Sequence, residues 1–364
     1  MKKLLVVLLA LVMAFAMVGC GSPTVSESPS AEVSESQAAP SEAVESPSEA
    51  AATELNIGVL VWKYDDAYGS TVRTAMEKYA DEIGTQMGIK INLDMQDAND
   101  SMATQLEQAT VMFAQKPDFV IINLAEVASG QQLVDLAHEN DVPFLFYNKE
   151  PVDPSILEGS IFVGTTPREA GDMQGEILAD LYAADKSIDL NGDGKLQYLM
   201  FEGEANNPEA IARTKYSVET AIAKGLQLEQ LGETLVCNWD QAQAQEAMTA
   251  AFASYGSKAE VIFVNNDMMG LGAIAALNAE GYNTGVEGDP KIVVIGVDAV
   301  DAALEAISAG KMTATVKQDG DAMGKAVILL AINGATGKGW LDGTDYKMAE
   351  DGYSIRIPYA KITG

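Results

Sequence analysis

Residues 189–201 read Asp189-Leu190-Asn191-Gly192-Asp193-Gly194-Lys195-Leu196-Gln197-Tyr198-Leu199-Met200-Phe201. Oxygen-bearing side chains stand at positions 1, 3, 5 and 9 of a loop with glycine at position 6, the spacing by which an EF-hand-type loop wraps a calcium ion. Asp189, Asn191, Asp193 and Gln197 offer side-chain oxygens, and Lys195 its main-chain carbonyl. Gly194 permits the sharp turn that a Cβ resists. Position 12 of such a loop is ordinarily a bidentate glutamate, and here it is Met200. Residues 196–201 moreover read as a buried strand, not as an exiting helix. The stretch therefore places the loop inside an α/β domain. It either takes a carboxylate from elsewhere or is a solvated Asp/Asn/Gly turn.

Outward from this loop the chain alternates apolar, β-rich runs with helical patterns. The runs cover 55–61, 89–95, 119–124, 143–147, 161–163, 196–201, 260–264 and 291–297; helical patterns such as 68–87, 102–115, 168–183, 242–255 and 269–281 separate most of them. Continuous apolar strands between helices predict parallel sheets covered on both faces. About 310 residues is large for one such sheet, so two lobes are expected, with a boundary near Gly164.

The beginning of the chain predicts export. Lys2 and Lys3 precede an apolar run to Val18, ending in Gly19-Cys20. A charged start, an apolar core and a small residue before the cut make a signal peptide. Met17-Val18-Gly19-Cys20 resembles a bacterial lipoprotein processing site, with residues 1–20 as leader and Cys20 as the lipid carrier on the outer face of the membrane or in the periplasm; a free signal peptide with an incidental cysteine is the alternative. Residues 21–54, rich in Ser, Glu, Pro and Ala, predict a disordered acidic tether. The formal charge of −30 becomes −32 once Lys2 and Lys3 leave with the leader. Such a body binds no nucleic acid through phosphates and is expected to be a monomer. With Cys20 lipidated only Cys237 remains, so no intramolecular disulfide forms; the one histidine, His138, has no His or Cys near it in sequence.

Ligands of open α/β sheets bind beyond the carboxyl ends of the strands. The residues there include Lys63-Tyr64-Asp65-Asp66-Ala67-Tyr68, Asn148-Lys149-Glu150, Glu202-Gly203-Glu204 leading to Asn207, Glu209 and Arg213, Asn265-Asn266-Asp267, and Asp298. Trp239 precedes a helix. Each has a plainer reading as a helix cap or a core residue. Together, amides, carboxylates and aromatics suit a polar, uncharged, ring-shaped ligand such as a sugar. Neither a Gly-x-Gly-x-x-Gly run nor a P-loop is present to hold a phosphate.

These segments, with Phe146-Tyr147-Asn148-Lys149-Glu150-Pro151, Gly296-Val297-Asp298-Ala299 and Arg356-Ile357-Pro358-Tyr359, resemble the glucose/galactose-binding proteins, periplasmic binding proteins with a ribose-binding-type core. The resemblance runs from about Asn56 to Tyr359. It implies a two-lobed α/β fold of parallel sheets joined by a three-segment hinge near Gly164-Thr165, Gln318-Asp319 and Ile357-Pro358. The lobes would be 55–164 with 320–356, and a calcium-binding lobe of 165–319 with 357–364. It implies Glu260 as the remote calcium carboxylate. It implies sugar contacts from Asp66, Asn148, Arg213, Asn266 and Asp298, with Tyr68 and Trp239 stacking on the ring. Asn207, Glu209 and Gln318 stand where the family pattern has His, Asp and Asn, and Tyr68 where it has Phe. The partners implied are a hexose and the membrane permease of an ABC-type importer; a chemoreceptor is left open. No chemistry is expected. Another sugar such as xylose and a secreted glycosidase remain as alternatives.

Overall fold

The computed structural model describes residues 54–364. The signal peptide, Cys20 and the tether up to residue 53 lie outside the described residues. In chain order the elements are β1 (Glu54–Val61), α1 (Ala67–Met87), β2 (Lys90–Asp97), α2 (Met102–Ala114), β3 (Phe119–Ile122), α3 (Gln131–Glu139), β4 (Phe144–Tyr147) and β5 (Phe162–Gly164). There follow α4 (Pro167–Ala184), β6 (Leu196–Glu202), α5 (Pro208–Ala223), β7 (Leu228–Gln230), β8 (Leu235–Val236), α6 (Gln241–Tyr255), β9 (Val261–Val264), α7 (Asp267–Ala279), β10 (Val293–Asp298), α8 (Asp301–Ser308) and β11 (Ala314–Lys317). The last are α9 (Gly320–Ala335), β12 (Ser354–Arg356) and β13 (Ala360–Thr363).

The strands form two sheets, one per lobe: β12-β5-β4-β3-β1-β2, and β13-β11-β10-β9-β6-β7 with β8 also on β6. The chain passes between them after Gly164, after Lys317 and after Arg356. Parallel pairing prevails because helices intervene between most strands. β13 departs from it and runs antiparallel to β11, since the short link from β12 leaves no room for a crossover helix. Glu54, assigned to the tether on sequence, belongs to β1 and pairs with Lys90.

Both faces of each sheet are covered. In the first lobe Val59, Phe119 and Leu145 pack with Val72, Met76 and Val327 of α1 and α9, while Leu60, Val120 and Ile122 pack with Phe113 and Leu133 of α2 and α3. In the second, Leu199, Ile262 and Val294 meet α6 and α7 through Met248 and Leu277; Met200, Phe263 and Ile295 meet α4 through Ile177 and Leu178. The edge strand β2 is an exception, none of its residues being fully buried. α9 lies close against α1 because Gly324 has no side chain: a Cβ there would stand 2.5 Å from that of Ala75. His138 is an exposed residue in the last turn of α3, its ring 5.9 Å from that of Phe144.

Candidate functional site

The strand ends of the two sheets face one another across a narrow cavity. All ten residues named from sequence as ligand contacts line it. From the first lobe come Asp66, the cap of α1 whose Oδ2 accepts the Gly69 amide at 2.6 Å, Tyr68 in the first turn, and Asn148 after β4. From the second come Asn207, Glu209 and Arg213 on α5, Trp239 before α6, Asn266 capping α7, Asp298 closing β10, and Gln318 at a crossing. Trp62 and Lys149 line it too. Neither was assigned a ligand role from sequence, though Trp62 stands just before the Lys63–Tyr68 segment and Lys149 within the segment after β4; position at a strand end is the signal that finds them.

Helix starts position most of these groups. A residue at an N-cap has extended backbone and a side chain turned back to the first amides, so the cap is held while its residue stays at the mouth of a strand. Asn207 accepts the Glu209 amide at 2.9 Å and donates to Glu204 at 3.1 Å. Asn266 accepts the Met269 amide and donates to the Trp239 carbonyl at 3.3 Å, fixing the loop that carries the indole. Asn148, Trp239 and Asp298 have positive φ (61°, 63° and 122°). Backbone held in such a sparsely populated region costs on the order of 1–3 kcal/mol and collects at functional sites.

The electrostatics are those of buried charge. Burial drives the Asp298 carboxyl well above the ordinary range; Arg213 opposes the shift, while Asp267, Asp66 and Glu209 add to it. Burial likewise raises Asp66. Burial works against the charge of Arg213, yet Tyr359, Glu209 and Asp298 hold its pKa above that of a free arginine. Its guanidinium donates to the Asn265 carbonyl, to Gln318 and to Tyr359 at 2.8, 2.9 and 2.8 Å. Gln318 in turn donates to Asn148 at 3.2 Å, linking a crossing to the opposite lobe. Lys149 lies 4.1 Å from the Trp62 ring centre and pairs across the lobes with Glu204 at 2.8 Å. The buried indole Nε1 of Trp62 has no partner among the described residues.

The oxygen-rich loop lies at the start of β6, at the other end of the strand from the cavity. Gly192 and Gly194 take positive φ (73° and 83°). Asp189 accepts the amides of Gly192, Asp193 and Gly194, and Asp193 that of Lys195. Gln197 bridges Asn191 and Asp193. Glu260, buried just before β9, reaches back: one oxygen accepts the amides of Leu190 and Asn191, the other that of Gln197. Met200 cannot serve, being buried in the core of the lobe. Among the described residues no three carboxylate, imidazole or thiolate side chains gather tightly enough to hold a metal by themselves. Any ion here would use carboxylate, amide and carbonyl oxygens together, a donor set that fits a hard cation.

The periplasmic binding protein domain matches residues 57–339. The D-galactose/methyl-galactoside binding periplasmic protein MglB of Haemophilus influenzae is 37% identical over 316 residues, 85% of this chain and 90% of that protein. The D-xylose-binding periplasmic protein of Escherichia coli is 22% identical over 274 residues, 73% of each. Among solved structures, an ABC transporter solute binding protein from Bacillus halodurans with bound myo-inositol superposes with a TM-score of 0.69 at 24% identity, covering 86% of this chain and 96% of that one. A binding-protein domain over most of the chain and a binding-protein relative at 37% identity place the chain among binding proteins, not enzymes, which removes the glycosidase alternative. With two parallel sheets, three crossings between them and a cavity at the facing strand ends, the chain belongs to the periplasmic binding protein family.

Proposed function

We propose that this chain is the sugar-binding component of an ABC-type importer and takes a neutral hexose, glucose or galactose, into the cavity between its lobes. The observation that carries the reading is the lining, drawn from both lobes: three aromatic side chains, Trp62, Tyr68 and Trp239, with carboxylates, amides, one ammonium group and one guanidinium. Aromatic faces cover the apolar C–H faces of a pyranose, and Asp66, Asn148, Arg213, Asn266 and Asp298 are suited to its hydroxyls. The 37% identity to a galactose-binding relative supports the same class. Xylose is the second reading, because Gln318 and Glu209 are each one methylene longer than the Asn and Asp of the family pattern, and Gln318 already reaches across to Asn148. Calorimetric titration with glucose, galactose, xylose and ribose decides between them. Binding of none at millimolar concentration sinks the monosaccharide reading.

The loop at 189–197 is the proposed seat of a structural Ca2+, held by Asp189, Asn191, Asp193, Gln197, Glu260 and the Lys195 carbonyl. Its support is Glu260, brought from a distant part of the chain to close the loop. We further propose that Cys20 carries lipid and the tether holds the body off the membrane, where it meets a permease as a monomer. Replacing Cys20 with Ala should stop lipid attachment; a variant still membrane-bound and normally processed would refute the anchor.

A further inference from the structure

Glu209 lines the cavity, but its carboxylate is already committed. Oε1 accepts the Thr165 hydroxyl at 2.7 Å. Oε2 lies 3.2 Å from the Tyr359 hydroxyl and 3.4 Å from Nη2 of Arg213, one helical turn away on α5. Tyr359 also lies 2.9 Å from Thr165, and Arg213 donates to Tyr359 and to Gln318. Thr165, Gln318 and Tyr359 each stand at a different one of the three crossings between the lobes. The whole group is buried. Both oxygens of Glu209 are thus turned to protein partners at the crossings, whereas Nε of Arg213 has none among the described residues.

Chemistry explains the arrangement. A buried guanidinium needs a paired charge and satisfied hydrogen bonds. Glu209 has one methylene more than aspartate, enough to lean away from the ligand space and onto the crossings. Rotation of one lobe against the other changes backbone angles at the crossings, so a network anchored on them is satisfied in one lobe arrangement and strained in others.

We propose that Glu209 is a positioning residue: with Tyr359 and Thr165 it fixes Arg213 against the crossings and ties the grip on the ligand to the hinge, without itself touching the ligand. The proposal rests on the cavity being the sugar site, and the experiment separates the two. D-galactose and its 2-, 3-, 4- and 6-deoxy analogues and 1,5-anhydro-D-galactitol are titrated against the intact chain, Glu209→Gln, Tyr359→Phe and the double variant. Each single change should weaken galactose about tenfold, the scale of a hydrogen bond to a charged group. The double variant should be no weaker than the worse single one, as members of one network are non-additive. The Glu209→Gln loss should be the same for every analogue. A loss that vanishes for one analogue would mean that Glu209 bonds that hydroxyl, and multiplying effects would mean that Tyr359 is not its route; either overturns the proposal. Thr165→Val, which removes one hydroxyl donor, serves if Glu209→Gln fails to fold. If the intact chain binds no hexose, the sugar reading fails alone, and the interlobe distance distribution of the ligand-free protein, measured by spin labels on the two lobes, tests the rest. Glu209→Gln and Tyr359→Phe should shift it alike, and an unshifted distribution overturns the proposal.

Discussion

Asp298 has a main-chain φ of 122°, which glycine would adopt with less strain, and its carboxyl is buried beside Arg213. Truncation to Ala should weaken hexose binding by about tenfold to a hundredfold, given roughly 1.5–3 kcal/mol for a hydrogen bond to a charged group; calorimetry and the intrinsic fluorescence of Trp239 read the loss, and a melt should show the fold intact. Asp267, which accepts the Thr315 hydroxyl at 2.6 Å and the Val300 amide at 3.1 Å, is likewise raised by burial. A carboxyl raised in the folded state binds more protons there than when unfolded. Between its ordinary value near 4 and its raised one, stability therefore falls as pH rises. The ligand-free protein should melt higher as pH drops from about 7.5 to about 5, and Asp267→Asn should flatten that slope; an unchanged slope would place its origin in the general negative charge. Residues such as Asp66 and Asn266 could be found from sequence because polar side chains after a strand are few and either cap a helix or line the space beyond the strand ends, and here they do both. What Glu209 does with its carboxylate could not be found so, because its partners Thr165 and Tyr359 lie far away along the chain.

The loop before β6 and the strand itself were readable together, since oxygen spacing marks the one and an unbroken apolar run the other. Glu260 came only with the family resemblance, as nothing in the loop names its remote carboxylate. If the loop holds Ca2+, chelation should lower the melting temperature far more than it lowers sugar affinity in the cold, because the loop and the cavity lie at opposite ends of β6. Asp193→Ala and Glu260→Ala should each abolish the calcium-dependent part of the melt; a normal calcium response in Glu260→Ala would show that Glu260 is no ligand. β7, β8, β11, β12 and β13 were not anticipated as strands. They span two to four residues, too short for any period to declare itself, and are strands because a neighbour offers them a ladder: Ser354, Ile355 and Arg356 pair with Phe162, Val163 and Gly164. Arg356 then binds Glu150 through both terminal nitrogens at 2.7 and 2.8 Å and the Thr165 carbonyl at 2.6 Å, securing the last crossing.

Among the described residues the Lys149–Glu204 pair is the one in which opposite charges bridge the cleft, with the lysine side chain only 6% exposed. Removing one partner of a buried pair leaves the other charge uncompensated. Lys149→Met should therefore open the ligand-free molecule, seen as a larger radius of gyration in solution scattering, and weaken hexose binding by about tenfold; an unchanged radius would mean that the pair does not hold the lobes together. Two lobes and their alternating elements followed from chain length and pattern, while the closeness of α1 and α9 depends on small residues whose role shows only in three dimensions. That α9 and β12 return to the first lobe has a consequence in time. A chain threaded through a membrane from its beginning delivers β1 to β5 first, yet the second of the two helices that cover one face of their sheet and the strand that borders it arrive only with about the last eighth of the polypeptide. Until then Val59, Phe119 and Leu145 have half their cover, so the first lobe emerges early and matures late, and a chain cut short before residue 320 should yield no folded lobe at its beginning.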